Sequence, residues 1–302
     1  MKTILLTGKN GQVGHELVTA LAPLGRVVAT GRDQLDLARP DSIVSCVRDV
    51  RPDIIVNAAG YTSVDGAELD PDAAWQANAV GPGILAEQAK AGGSLLLHFS
   101  TDYVYDGTKG APYDEDDPPN PVNAYGRSKL EGERNIAASG CRHLTFRTSW
   151  LYADRGVNFL LTILRLAQQK PELHIVADQI GSPTWARELA GVTARILQSQ
   201  QLKPDALGTY HLSAGSHVSR FEFAQAIVAT ARMACGAERG WANIKPTTTA
   251  NYPRPAARPL NAATSKDKIG NRLGIAMPHW EEQLKACMRS MGEQGLLQLK
   301  QG

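Results

Sequence analysis

A chain of 302 residues is long enough for one large domain or for two unequal ones that share a cleft. Hydrophobic residues make up 43% and charged residues 21%, the balance of an ordinary globular protein. A formal charge of +2 gives no bias toward nucleic acid or membrane, and no apolar run approaches the length of a membrane span. The apolar stretch in the opening "MKTILLTGKN" is too short for the core of a signal peptide. Cys46, Cys141, Cys235 and Cys287 are scattered, without a C-x-x-C pair or metal-ligand spacing. Reduced, mostly buried thiols in a reducing compartment are therefore expected, and with them a cytoplasmic location.

In chain order, the first half alternates short β-rich runs with helical patterns. The strands are expected at 3–8, 26–30, 53–60, 94–101 and 143–152, most of them near-continuously apolar as buried parallel strands are. Helical spacing fills the gaps, with Pro or Asp near several starts and Gly at several ends. This alternation predicts an α/β fold, a Rossmann-type doubly wound parallel sheet over residues 1–150. Beyond residue 150 the order turns mixed: a helix at 157–169, a strand at 173–178 expected to rejoin the first sheet, and a helix at 185–200. A strand at 209–214, a helix at 219–235, an irregular proline-rich stretch at 246–259 and a closing helix at 278–291 follow. Residues 151–302 are expected to form mainly a smaller mixed α/β substrate domain.

"TILLTGKNGQVGHEL" runs from a strand through Gly8, Gly11 and Gly14 into a helix. Glycines there permit a tight turn and let backbone N–H groups approach a pyrophosphate, and the strand–turn–helix setting favours dinucleotide binding over a plain β–α turn. The second strand ends "ATGRD", without the acidic residue that would bind the ribose 2′-OH of NAD. Arg32 there either meets a 2′-phosphate, which favours NADPH with NADH possible, or is a solvated loop residue.

"HFSTDYVYDG" places Ser100 and Thr101 at the carboxyl end of the fourth strand, where ligands bind in such sheets. The next helix carries "YGRSK", putting Tyr125 and Lys129 on one face. Alone, such a pair is a common surface contact. Together with the turn and Thr101 it reads as chemistry: a lysine ammonium stabilises phenolate and lowers the phenol pKa, so that Tyr125 protonates a carbonyl oxygen as hydride reaches its carbon. Thr101 can bind the same oxygen, with Asp102 and Tyr103 beside it.

With "VNAAG", "STDYVYDG", "YGRSK", "RTSWLY", "DQIGSPT" and "RPLNAATSK" in this order, the chain resembles the extended short-chain dehydrogenase/reductases and, more narrowly, the dTDP-4-dehydrorhamnose reductase family. The resemblance covers most of the chain. It implies Thr101, Tyr125 and Lys129 as the catalytic set, acting on the C4 ketone of dTDP-4-dehydro-L-rhamnose. It implies cofactor contacts from Gly11, Gln12, Val13, Asp36, Leu37, Gly60, Tyr61, Thr62 and Lys129. Asp102, Tyr103, Trp150 and Arg258 match positions associated with the sugar nucleotide, although core packing explains Trp150 as well. Some relatives bind Mg²⁺; here Glu16 matches one position, Arg187 stands in a neighbourhood that is acidic elsewhere, and the metal is unplaced. A homodimer is compatible with the resemblance. The same scaffold serves epimerases and reductases of other 4-keto nucleotide sugars, and relatives without turnover act as cofactor-binding regulatory subunits. Retention of both Tyr125 and Lys129 argues against the last. Tyr103, where dehydratases carry an acid, argues against dehydration.

Overall fold

The computed structural model describes residues 1–200, 202–235 and 240–296. The first half builds β1 (Lys2–Thr7), α1 (Gln12–Leu21), β2 (Gly25–Thr30), α2 (Pro40–Val50), β3 (Ile54–Asn57), α3 (Val64–Leu69), α4 (Pro71–Trp75), α5 (Gly81–Gly92), β4 (Leu95–Thr101), α6 (Ala124–Ser139) and β5 (His143–Thr148). Every residue of β3 and β4 is buried, which is why these strands read as largely apolar runs without the alternation of a half-exposed strand. Helix ends follow local chemistry. Pro40 opens α2, the Asn123 side chain accepts the Gly126 N–H to cap α6, and Gly140 closes α6 in the left-handed region.

The remainder supplies β6 (Leu151–Tyr152), α7 (Phe159–Ala167), β7 (Glu172–Val176), β8 (Ile180–Gly181), β9 (Thr184–Trp185), α8 (Ala186–Gln198), β10 (Gly208–His211), β11 (Val218–Ser219), α9 (Arg220–Cys235), β12 (Asn243–Thr247), α10 (Asp267–Leu273) and α11 (Trp280–Glu293). Six parallel strands form the central sheet in the order β10-β5-β4-β3-β1-β2. Alternate residues of the strands feed two cores. Ile4, Leu6, Val56 and Leu97 pack with Leu17 of α1 and Leu189 of α8. Leu5, Ile55 and Leu96 pack with Ile43 of α2, Leu85 of α5 and Ile136 of α6 on the other face. The fold is thus doubly wound and Rossmann-type, with the order reversing between β1 and β3, the position of a ligand crevice.

The sequence misassigned one strand. The run near 173–178 does not rejoin the sheet; β7 pairs with β12 in a separate two-stranded sheet, and the sixth strand is β10, parallel to β5. A second core gathers Leu160, Phe223, Trp241, Trp280 and Met288 from α7, α9, α11 and the segment before β12. The strand expected over 143–152 is broken into β5 and β6 because Trp150 between them adopts φ +41°. Cys141 and Cys287 are buried free thiols and Cys46 is half-buried; the Cys235 side chain lies outside what the structure describes. Among the described residues no helix is long and apolar enough to cross a membrane.

One buried ion pair ties α6 to the sheet. Arg147 on β5 donates from Nη2 to Glu133 Oε2 at 2.6 Å and from Nε to both carboxylate oxygens at 3.1 Å, while Nη1 donates to the Tyr105 hydroxyl at 2.7 Å. Ser100 donates to the same carboxylate. Replacing Glu133 by Ala leaves a buried guanidinium unpaired, and a loss of about 3–5 kcal/mol in urea unfolding is expected.

Candidate active site

At the carboxyl edge of the sheet, Gly8 ends the β1 turn at φ +76°, and a Cβ on it would lie 2.8 Å from the Ala58 carbonyl. A Cβ on Gly14 would come within 2.0 Å of Gly8 O, so α1 can start against the turn only with glycine there. Gly11 is the N-cap and supplies no side chain to the free N–H groups of α1, leaving them open to an anion. Val13 is buried beneath the turn, and Gln12 accepts from Asn158 Nδ2 at 3.0 Å. Arg32, 86% exposed in its side chain, reaches Asp36 at 3.4 Å, and Asp36 also accepts the Ala38 N–H. Leu37 is buried under Gly81.

Gly60, Tyr61 and Thr62 follow β3, as expected. Asn78, which the sequence did not single out, fastens them: its Oδ1 accepts the Tyr61 N–H at 2.8 Å, and its Nδ2 donates to Tyr61 O and to Ser128 of α6. Asn78 sits in a π-helical stretch, Gln76–Val80, that joins α4 to α5. A Cβ on Gly60 would lie 3.9 Å from Lys129 Nζ, so loop and lysine are neighbours.

Thr101, Asp102, Tyr103, Tyr125 and Trp150 converge. The Thr101 hydroxyl donates to Asp102 Oδ1 at 3.1 Å and accepts the Tyr103 N–H at 3.2 Å, and it lies near enough to Tyr125 to favour the ionised phenol. Tyr103 meets Tyr125 edge to face with centroids 6.0 Å apart. Trp150 lies against Gly181, where a Cβ would be 2.3 Å from its ring, and the Arg220 guanidinium stacks on it at 3.8 Å. This half-exposed, sandwiched indole is not part of the core. Tyr103 lies close enough to favour the Arg220 charge, but burial lowers the guanidinium pKa. Arg258, the expected diphosphate ligand, donates to Asp65 Oδ1 at 2.9 Å and is felt electrostatically by Arg220. Arg220 was not legible in advance, because only packing of α9 against the Trp150 loop brings it here.

Burial perturbs the titrating groups gathered here. Burial pushes Asp102 up to about 6, against hydrogen bonds from Ser149 at 2.6 Å and from Thr101. Burial lowers Lys129 to about 8, against the carboxylate of Glu133. Lys129 Nζ donates to Phe99 O at 2.5 Å and lies 3.3 Å from His98 Nε2. Burial raises Tyr125 above the usual phenol range, with Asp102 and Tyr103 adding to it and Thr101 opposing. The expected lowering of the phenol by Lys129 is therefore corrected: desolvation wins. A phenol that stays protonated at neutral pH is the form that can give a proton. Lys266, also unforeseen, is lowered to about 8 by burial, with Asp102 favouring its charge, and donates to Ser182 Oγ at 3.3 Å.

The model of the RmlD substrate binding domain family matches residues 1–292. A dTDP-4-dehydrorhamnose reductase of Burkholderia thailandensis is 48% identical over 293 residues, covering 95% of this chain and 98% of that protein. The chain belongs to the dTDP-4-dehydrorhamnose reductase family. Two solved members superpose closely on this reductase-family chain. The Clostridium acetobutylicum dTDP-4-dehydrorhamnose reductase has 33% identity and TM-score 0.88, and the Bacillus anthracis enzyme in complex with NADP has 34% and 0.87. Each alignment covers 96% of this chain and 99% of the other.

The Asp102 carboxyl should titrate near 6 by carbon NMR. Ser149→Ala removes a hydrogen bond to the carboxylate, so the titration should move higher; an unchanged or lower value would contradict the assigned contact.

Proposed function

We propose that this chain is an NADPH-dependent oxidoreductase that reduces the C4 ketone of dTDP-4-dehydro-L-rhamnose to dTDP-L-rhamnose, the last step in making that cell-surface polysaccharide precursor. The observation that carries this is the gathering of Thr101, Tyr125 and buried Lys129 at one edge of the sheet, with the lysine beside Gly60 in the loop after β3 and a glycine turn whose α1 N–H groups are open to a pyrophosphate. The 48% identity to a reductase of that name supports the substrate, and the NADP complex of a relative supports the cofactor. A cytoplasmic location follows from the reduced-thiol reading of the cysteines.

The turn at Gly8–Gly14 with the open first turn of α1 would hold the pyrophosphate, and Arg32 the 2′-phosphate. Lys129, beside Gly60, would hold the nicotinamide ribose. When bound, NADPH supplies the hydride. Thr101 and Tyr125 bind the C4 oxygen; Tyr125 gives up its O–H proton as negative charge grows on that oxygen, and the Lys129 ammonium stabilises the phenolate left behind. Asp102, Tyr103, Trp150 and Arg220 border the sugar, with Arg258 toward the diphosphate.

Magnesium does not fit the residues at Glu16. Its carboxylate accepts from Arg187 Nε at 3.0 Å, and the same guanidinium donates to Ser290 Oγ at 2.8 Å and to Asp154 Oδ2 at 3.3 Å. A divalent cation there would face a fixed positive charge. Among the described residues no group of three or more His, Cys, Asp or Glu could hold a metal.

Mixing the protein with NADPH and dTDP-4-dehydro-L-rhamnose should give substrate-dependent loss of reduced-nicotinamide absorbance; its absence would sink the proposal. Tyr125→Phe should lower kcat by about 10²–10⁴-fold, and full activity in that variant would remove Tyr125 as the acid. Arg32→Ala should raise KM for NADPH roughly tenfold and leave KM for NADH unchanged, whereas equal effects on both would make Arg32 a bystander.

A further inference from the structure

Behind the Tyr125–Lys129 pair, the last residues of β1 and β3 and the middle of β4 carry three fully buried polar side chains in register. Thr7 is opposite Asn57, and Asn57 opposite His98. Residues in register on parallel strands face the same side, so all three point to the layer that holds α6. The Thr7 hydroxyl donates to Asn57 Oδ1 at 2.6 Å, and the Ala59 N–H reaches the same oxygen at 3.3 Å. Two donors on one oxygen fix the amide, so Nδ2 is the end that faces His98 Nδ1, 2.9 Å away. An amide nitrogen only donates. His98 Nδ1 therefore accepts, and the neutral ring carries its hydrogen on Nε2, 3.3 Å from Lys129 Nζ.

We infer that His98 is a positioning residue which, locked by Asn57 with its hydrogen on Nε2, meets Lys129 as a donor and favours the amine over the ammonium. This rests on the reading of Lys129 as the catalytic lysine. An ammonium has three hydrogens and no lone pair, so at Nε2 it meets another N–H. The amine has a lone pair to accept that hydrogen, while Phe99 O takes a hydrogen from either form. The neighbouring charges are few. Glu133, one turn along α6 and paired with Arg147, pulls toward the ammonium. Tyr125 stands one turn before Lys129, and the Lys129 charge and then His143 on β5 add to burial in keeping His98 neutral. The ring thus counterweighs Glu133 and keeps the lysine proton easy to lose.

The test starts with unmodified protein labelled with ¹⁵N-histidine and ¹³C-lysine. His98 should show a protonated Nε2 and a bare Nδ1 at neutral pH. Asn57→Asp keeps an oxygen for Thr7 and Ala59 and places a second oxygen against Nδ1. The ring should then switch to Nδ1–H, Nε2 should accept from the ammonium, and the Lys129 Cε titration should move up by about one pH unit. The alkaline limb of the kcat profile should move with it. A purely structural role for His98 would lower stability and leave both curves in place. An Nδ1–H ring in the unmodified protein overturns the inference even if the variant does not fold. So does a switched ring with an unmoved lysine, or a moved lysine with an unswitched ring, where the new charge acts alone. A lysine titration that moves while the kcat limb stays would instead overturn the catalytic reading of Lys129.

Discussion

A lysine charge held almost out of water is the constraint on which the site depends. Lys129 is 5% exposed, and burial alone disfavours its ammonium. The surroundings determine how much of the charge survives. Phe99 O accepts one hydrogen, Glu133 supplies a negative charge one turn along α6, and Arg147 fixes Glu133 against β5. The parallel strands are in register here, so Thr7, Asn57 and His98 stand side by side without any loop having to carry them there, and Thr101 follows three residues further along β4. The sheet thus delivers the polar groups, and α6 lays the tyrosine and lysine over them.

The same burial sets the role of Tyr125. A phenol in water-poor surroundings resists ionisation, and Asp102 beside it adds to the resistance. Such a group is poorly suited to taking a proton at neutral pH and well suited to giving one to an oxygen that is gaining charge. Asp102, itself pushed up to about 6 and bonded to Thr101, extends the same polar chain away from Tyr125. The arrangement suits reduction of a ketone, in which oxygen ends with a hydrogen it did not begin with.

What was legible in the sequence was local. The glycines at 8, 11 and 14, the apolar runs of β3 and β4, and Tyr125 four residues before Lys129 act through neighbours in the chain, so spacing identifies them. Sheet membership was not local. "LHIVAD" near 173–178 has more β-character than the "GTYH" of β10, yet β10 lies beside β5, because placement depends on which helices can pack above it. Asn78, Arg220 and Lys266 reach the cleft from helices or loops distant in sequence, and polar residues on helices have no periodic signature. His98 was hidden differently. It interrupts an apolar strand, and only the register of three strands shows that it faces Lys129. Trp150 had two readings; it is half-exposed, outside the hydrophobic cores, with the Arg220 guanidinium stacked on its ring.

The central claim is that hydride reaches the sugar at C4 while the oxygen takes its proton from the protein. NADPH deuterated on the transferring face of its nicotinamide tests this most directly, with the nucleotide-sugar product read by mass spectrometry and proton NMR. One deuterium on C4 of the rhamnosyl ring, with none in the solvent, is the predicted result. Deuterium retained by the cofactor after turnover, or found on any other sugar carbon, would contradict it.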